Sequence, residues 1–188
     1  MKSSINSNAN SHQTLRKKIV PDYKLLNKIV EGLRAADYKI VATIGSWDML
    51  HIGHVRYLME AKNRGDILIV GTDTDAAIKR YKGPNRPIIP ENERMEMLSY
   101  QACVDFVTAI PDVDSKGNWN YGLIKVLRPD VFIAVEDSYP PNQRKEIKKY
   151  CKELIILPRQ AENTSSSSII QNTFKKNVAA MMEMLEKR

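Results

Sequence analysis

Five short apolar runs set the limits on how this chain can fold: KIVATIG, DILIVGT, CVDFVTAI, DVFIAV and ELIILP. They are rich in β-branched residues and show no sustained alternation of apolar with polar positions. A half-exposed strand alternates, whereas a strand covered on both faces does not. Helical periodicity follows each run. Residues 51–63 place Val55, Leu58, Met59 and Lys62 at helical spacing, and DTDAAIKRY follows the second run. PENERMEMLSYQ and NYGLIKVLR lie on either side of the third, PNQRKEIKKYC follows the fourth, and SSSIIQNTFKKNVAAMMEMLEKR follows the fifth. An amphipathic segment from Asp22 precedes them all, with Leu25, Leu26, Ile29, Val30 and Leu33 on one face. Pro90 is expected at the first helical position, where its missing N–H costs nothing. Strands alternating with helices predict a doubly wound α/β domain, a Rossmann-like five-stranded parallel sheet covered on both sides. In such sheets ligands bind beyond the carboxyl ends of the strands, where the strand order reverses. The first run ends at Gly45, so whatever follows Gly45 is expected at the ligand.

The bulk numbers suit one globular domain. The chain has 188 residues, 43% hydrophobic and 27% charged. Residues 1–14 are Ser/Asn-rich and read as a disordered polar tail, leaving 15–188 as a single domain. No apolar run approaches the roughly 18 residues of a membrane span, and the N-terminus lacks the apolar core of a secretory signal. Cys103 and Cys151 show no metal-ligand spacing and read as reduced structural thiols, so a cytoplasmic protein is expected. The net charge of +7 raises nucleic-acid binding, but Lys2, Arg16, Lys17 and Lys18 in the first twenty residues supply four of the seven charges. RKEIKKYCK reads as a solvated helix face, and no aromatic platform accompanies the charge, so no nucleic-acid partner is expected.

After the first apolar run comes GSWDMLHIGHVRYL, residues 45–58, holding His51 and His54, two of the chain's three histidines. Spaced three apart at a helix start, both imidazoles lie on one side of the first turn. Three readings compete. The pair could simply pack or cap. It could bind zinc, with Asp48 as third ligand, but zinc histidines on a helix are usually about four apart. Or it could hold a phosphate, favoured by the free N–H groups and dipole of a helix N-terminus, with Gly53 giving clearance. The strand, Gly45, Asp48 and Gly53 taken together favour the phosphate. Four serines at 165–168, before the last helix, repeat the choice between a simple N-cap and a phosphate cradle.

These residues resemble the cytidylyltransferase-like nucleotidyltransferases, whose signature is H-x-G-H after the first strand. Within them the chain is most similar to the adenylyltransferase domain for heptose 1-phosphate in lipopolysaccharide precursor synthesis. The likeness runs from about Lys18 to Ile170 and includes LHIGHVRYLMEAKNRGDILIVGTDTDAAIKRYKGPNRPIIPENERMEMLS, CVDFV, LRPDVFI and SSSSII. The resemblance implies transfer of AMP from ATP to a sugar phosphate, with pyrophosphate released and Mg²⁺ as cofactor, carried by substrate oxygens rather than a dedicated protein cage. His51, His54 and Lys82 would act on the phosphates. Gly45, Ser46, Trp47, Gly53, Arg94, Ser165, Ser166 and Ser167 would bind or support the nucleotide. Asp48, Asp73, Glu136 and Asp137 would lie near the acceptor or metal. CTP with glycerol 3-phosphate, flavin mononucleotide as acceptor, and a silent nucleotide-binding scaffold stand as alternatives.

Three departures bear on the acceptor. Trp47 replaces a phenylalanine, AVEDSYPPNQRK replaces a lysine-glycine turn, and PDVDSKGNWNYG at 111–122 is long enough for a lid. No sugar kinase accompanies the domain in these residues, so a separate kinase is expected upstream. The last helix carries Ile169, Ile170, Phe174, Val178, Met181, Met182 and Leu185, read as core or as the contact of a homodimer.

Overall fold

The computed structural model describes residues 13–116 and 118–186. The polar tail read over 1–14 thus lies outside the described residues, apart from Gln13 and Thr14, which begin a helical turn. Helix α1 (Tyr23–Ala35) starts where Asp22 accepts the amide of Lys24 at 2.8 Å. Strand β1 (Ile40–Gly45) and helix α2 (Ile52–Lys62) follow, then β2 (Ile67–Asp73), α3 (Asp75–Lys82) and α4 (Glu91–Ser99). β3 (Phe106–Ile110), α5 (Gly122–Leu127), β4 (Val131–Val135), α6 (Pro141–Ile147), β5 (Glu153–Leu157) and α7 (Ser166–Glu186) complete the order. The five strands form one sheet in the order β3-β2-β1-β4-β5, and every pair is parallel.

Both faces of the sheet are dry, as the unbroken apolar runs require. On one, Val41, Leu68, Val70, Val107, Val131 and Ile133 pack with Tyr57, Leu58 and Ala61 of α2 and Leu98 of α4. On the other, Ile40, Ile69 and Ile110 meet Leu26 and Val30 of α1 and Leu123 and Leu127 of α5, while Ala42, Phe132 and Ala134 meet Ile124 and Ile147. From β1 the chain proceeds to β2 on one side and reaches β4 on the other. The sheet therefore parts at the carboxyl ends of β1 and β4, which makes that edge the ligand crevice.

Some element ends differ from the sequence reading. Pro90 is the N-cap of α4, accepting the amide of Arg94 at 3.0 Å, and Glu91 is the first helical residue. β3 begins at Phe106, because the Asp105 carboxylate stands outside the ladder, accepting the Leu68 amide at 2.7 Å and Lys62 at 2.5 Å. α6 stops at Ile147, since Lys149 and Tyr150 tighten to i→i−3 bonds as the chain turns towards β5. Nor is the α7 stripe core: no described residue of α7 is buried, and Phe174, Met181, Met182 and Leu185 are exposed. Among the described residues no helix is long and apolar enough to cross a membrane.

The α2 side of the core depends on Leu58, which is wholly buried. Leu58→Ala is expected to lower the unfolding free energy by about 2–5 kcal/mol. Urea unfolding should show this as a lower midpoint with an unchanged slope.

Candidate active site

Between β1 and α2 the chain makes a tight, irregular turn. Trp47 (φ 50°) and Met49 (φ 54°) take left-handed backbone, which side chains adopt only when the surroundings hold them there. The Trp47 ring holds the first: it is buried and donates its Nε1–H to Gly71 O at 2.8 Å. Gly45 serves that ring. A Cβ at Gly45 would stand 3.1 Å from it, so its glycine is explained by packing rather than by a turn of its own beneath a nucleotide.

The Asp48 side chain is fully buried and points away from the cleft it was expected to serve. It accepts the amides of Ile88 at 3.0 Å and Ile89 at 2.9 Å, and the Arg86 Nε at 2.8 Å. Burial alone would raise its pKa, but the Ile89 and Ile88 amides and Arg86 outweigh that and hold the carboxyl below its ordinary value. Asp48 is therefore a clamp between the signature loop and the 86–89 segment, which corrects its placement near acceptor or metal. Arg94 needs a similar correction. At 1% exposure it does not line the cleft. It donates to Ser46 O and Thr72 Oγ1 at 2.6 Å, Asp75 Oδ1 at 2.6 Å, and Ile89 O and Asp73 O at 2.9 Å. It supports the site from behind.

His51 is the N-cap of α2, and its Nδ1 accepts the Gly53 amide at 3.1 Å. His54 reaches back so that its Nδ1 receives the His51 amide at 3.4 Å, a long bond. In each ring Nδ1 is thus the acceptor, which leaves the proton of the neutral imidazole on Nε2. The rings lie 3.9 Å apart at 30°. Burial, then His51 and Lys82, lower the His54 pKa to about 3; burial, then Arg159, lower that of His51. Both side chains are therefore neutral Nε2–H donors at pH 7. Capping and phosphate binding are compatible, because the cap occupies only Nδ1.

Both rings line a cleft of about 610 Å³ at the carboxyl edge of the sheet. Gly45, Ser46, Trp47, Gly53, Asp73, Lys82, Asp137 and Ser165–Ser167 share its wall. Glu136 does not; its Oε1 accepts the Arg159 amide at 3.3 Å. Lys82 donates to Ser46 Oγ at 2.8 Å and, recessed beside Arg86, is held below the ordinary lysine value by that recess first and by Arg86 second. Opposite α2 stands the N-terminus of α7. Ser165 and Ser168 cap it reciprocally, with Ser168 N to Ser165 Oγ at 3.0 Å and Ser165 N to Ser168 Oγ at 2.8 Å. Ser166 Oγ donates to Asp48 O at 2.5 Å, and the Ser167 hydroxyl has no hydrogen-bond partner among the described residues. Two helix N-termini thus converge on one cleft, an arrangement that attracts anions. At Gly53 the start of α2 meets the loop between β5 and α7, where a Cβ would come within 2.9 Å of Ala161 Cβ and 3.0 Å of the His51 ring. Arg159, Gln160, Tyr81, Trp119 and Tyr139 also line the wall, and sequence reasoning did not assign them. Only the length of the 111–122 segment hinted at Trp119.

A family model described as cytidylyltransferase-like matches residues 42–172, from the middle of β1 into α7. The chain belongs to the cytidylyltransferase-like family. The bifunctional protein HldE of Helicobacter pylori (strain Shi470) is 38% identical over 156 residues, covering 82% of this chain and 31% of that protein. That of Geobacter metallireducens is 42% identical over 112 residues, 60% of this chain and 22% of that protein. The chain spans about a third or less of the length of these curated relatives. Among solved structures, the lipopolysaccharide core biosynthesis protein from Thermoplasma volcanium GSS1 has a TM-score of 0.55 at 25% identity, covering 65% of this chain and 98% of that one. A pantoate-beta-alanine ligase from Francisella tularensis, with a TM-score of 0.55 at 16% identity over 80% of this chain and 74% of its own, shares the nucleotidyltransferase-like fold alone.

Two measurements test the site. Arg94→Met is expected to cost about 3 kcal/mol, the low end for a broken buried ion pair, because half-exposed Asp75 can rehydrate; thermal melting reads this out. In the nucleotide-free protein, NMR titration should find the His54 imidazole still neutral from pH 8 down to pH 5, since its pKa lies at about 3.

Proposed function

We propose that this chain transfers the AMP of ATP to the phosphate of a sugar phosphate, with heptose 1-phosphate the leading acceptor, and releases pyrophosphate. The observation that carries this reading is the pair of neutral Nε2–H imidazoles at one helix N-terminus, facing a second, serine-lined N-terminus across a single cleft. Similarity to bifunctional HldE proteins and to a lipopolysaccharide core biosynthesis protein supports an acceptor of sugar chemistry. ATP as the donor rests on the resemblance to the heptose-phosphate adenylyltransferase domain.

In the mechanism an acceptor phosphate oxygen attacks the α-phosphorus in line. The new P–O bond forms as the bond to the bridging α–β oxygen breaks, and that electron pair leaves with pyrophosphate. The attacking oxygen is already anionic, so no general base is needed, and positioning with charge stabilisation carries the rate. His51 and His54 donate Nε2–H to phosphate oxygens as charge shifts towards the leaving group. Lys82, across the cleft, neutralises charge, and Ser167 with the α7 amides holds the distal phosphates. Gly53 lets the loop that leads into α7 lie against the start of α2 beside the His51 ring. The donor set of imidazoles, lysine and hydroxyls suits phosphate oxygens better than a divalent cation. The expected Mg²⁺ is thus held mainly by the triphosphate, with Asp73 or Asp137 in reach of its waters, and would shield phosphate charge when bound. A homodimer and a separate upstream kinase complete the proposal.

Pyrophosphate release is the direct test, crossing ATP and CTP against heptose 1-phosphate, other sugar phosphates and glycerol 3-phosphate. His54→Ala should lower kcat about 10²–10³-fold, the usual cost of one preorganised donor, in a protein that still melts cooperatively although the His51 amide loses its partner. A variant that keeps more than about a tenth of the wild-type rate would remove His54 from the chemistry.

A further inference from the structure

The two ends of the cleft rest on opposite faces of the sheet. His51 and His54 stand on α2, whose side chains pack on the Val41–Ile133 face. Trp119 and Tyr139 also line the cleft, but they pack with Ala42, Phe132 and Ala134 on the other face. There the Trp119 and Tyr139 rings stack, with centroids 5.2 Å apart and planes at 23°. Tyr121 backs Trp119 at 4.4 Å. The backbone fixes this arrangement: Val113 and Trp119 form an antiparallel bridge, Asn120 N donates to Asp112 O at 2.8 Å, and Arg80 Nη1 ties Val113 O to α3 at 2.5 Å.

Trp119 is not satisfied as a core residue would be. Its Nε1–H is shut off from solvent and has no hydrogen-bond partner among the described residues. Trp47, by contrast, gives its Nε1–H to a carbonyl. Buried indole N–H groups are ordinarily paired, whereas here the aromatic stack and the bridge to Val113, and no bond of the indole N–H, hold Trp119 in the wall. Asp73 shares this wall from the end of β2. Its Oδ2 accepts the Tyr81 hydroxyl at 2.5 Å, while Oδ1 receives no hydrogen bond from a described residue.

We propose that this end of the cleft is a pyranose subsite, in which the acceptor's sugar ring lies against the cleft-facing side of the Trp119–Tyr139 pair and gives hydroxyl hydrogen bonds to Asp73. The inference rests on the nucleotidyl-transfer reading and selects among its acceptors. A ring in a chair form presents a flat C–H face that a stacked aromatic pair can cover, whereas a three-carbon polyol has no such face. The Asp73 carboxylate supplies only acceptors, which suits sugar hydroxyls as donors. Lys82 shares the wall and is close enough to act electrostatically on both Asp73 and His54, so a cation serves the sugar end and the imidazole end where a sugar 1-phosphate carries its charge.

The test uses the full chain saturated with α,β-methylene-ATP. The chain has two tryptophans, so the Trp119 signal is the emission difference between wild type and Trp119→Phe. Heptose 1-phosphate or mannose 1-phosphate should shift that emission saturably, and glycerol 3-phosphate should not. In turnover, Trp119→Ala should raise the acceptor KM at least about tenfold and leave the ATP KM within about twofold, as loss of one binding surface predicts. If Trp119→Ala does not fold, the smaller ring of Trp119→Phe carries the kinetic test with a rise of about threefold in acceptor KM alone. An unchanged acceptor KM alongside normal turnover overturns the subsite and leaves the transfer reaction standing. A sugar-phosphate shift without turnover does the reverse. A shift caused by ATP alone and by no sugar phosphate assigns the platform to the nucleobase and overturns the proposal.

Discussion

The guanidinium of Arg94 gathers five groups from separate parts of the chain at one buried point. It takes the carbonyls of Ser46 and Asp73, just beyond and at the ends of β1 and β2, the Thr72 hydroxyl, the Ile89 carbonyl before α4, and the Asp75 carboxylate at the start of α3. Strand ends that must open into a cleft cannot pair with each other there, so a buried polar hub has to satisfy them. Asp48 performs the same task from the loop side, collecting two amides and Arg86. The signature turn, with left-handed backbone at Trp47 and Met49, is held between these two groups. The cleft can be open because the residues behind it are rigidly bonded.

Held in this way, the turn delivers α2 with its first residues already arranged. The amides of His51 and Gly53 bond the Nδ1 atoms, and the tautomers follow from those bonds. Capping is thus a precondition of the proposed chemistry. The ring that closes the helix end is the ring that meets the phosphate, and its orientation costs nothing at the moment of reaction. The serines divide their work in a similar way. Ser165 and Ser168 cap α7, Ser166 ties it to Asp48, and Ser167 is left for a ligand.

The five strands, their parallel order and the place of the crevice were legible because both-face burial leaves an unbroken apolar run, and because Gly45 marks the end of the first. The H-x-G-H stretch was legible as a helix start with both imidazoles on one side, because its spacing and glycine are local. Asp48 and Arg94 were misplaced for a common physical reason. A charged residue beside a signature reads as facing the ligand, and whether it turns inward depends on orphan amides and carbonyls that only the assembled loops create. Trp119 and Tyr139 lie twenty residues apart, and only the folding of the 112–120 hairpin onto the end of β4 brings them together. Gly53 was expected to make room for phosphate; in the fold it also makes room for Ala161 and the His51 ring.

The neutrality of the two imidazoles has a consequence for how any anion binds. Both rings resist protonation because they are desolvated, His54 also because it sits beside His51 and Lys82, and His51 because it sits near Arg159. A polyanion placed between the helix N-termini adds the one influence that reverses this, an opposite charge within contact distance. Yet a ring that starts from a pKa of about 3 has far to climb before it takes a proton at pH 7, so in the proposed chemistry His54 would meet a bound anion as a neutral Nε2–H donor and not as an imidazolium.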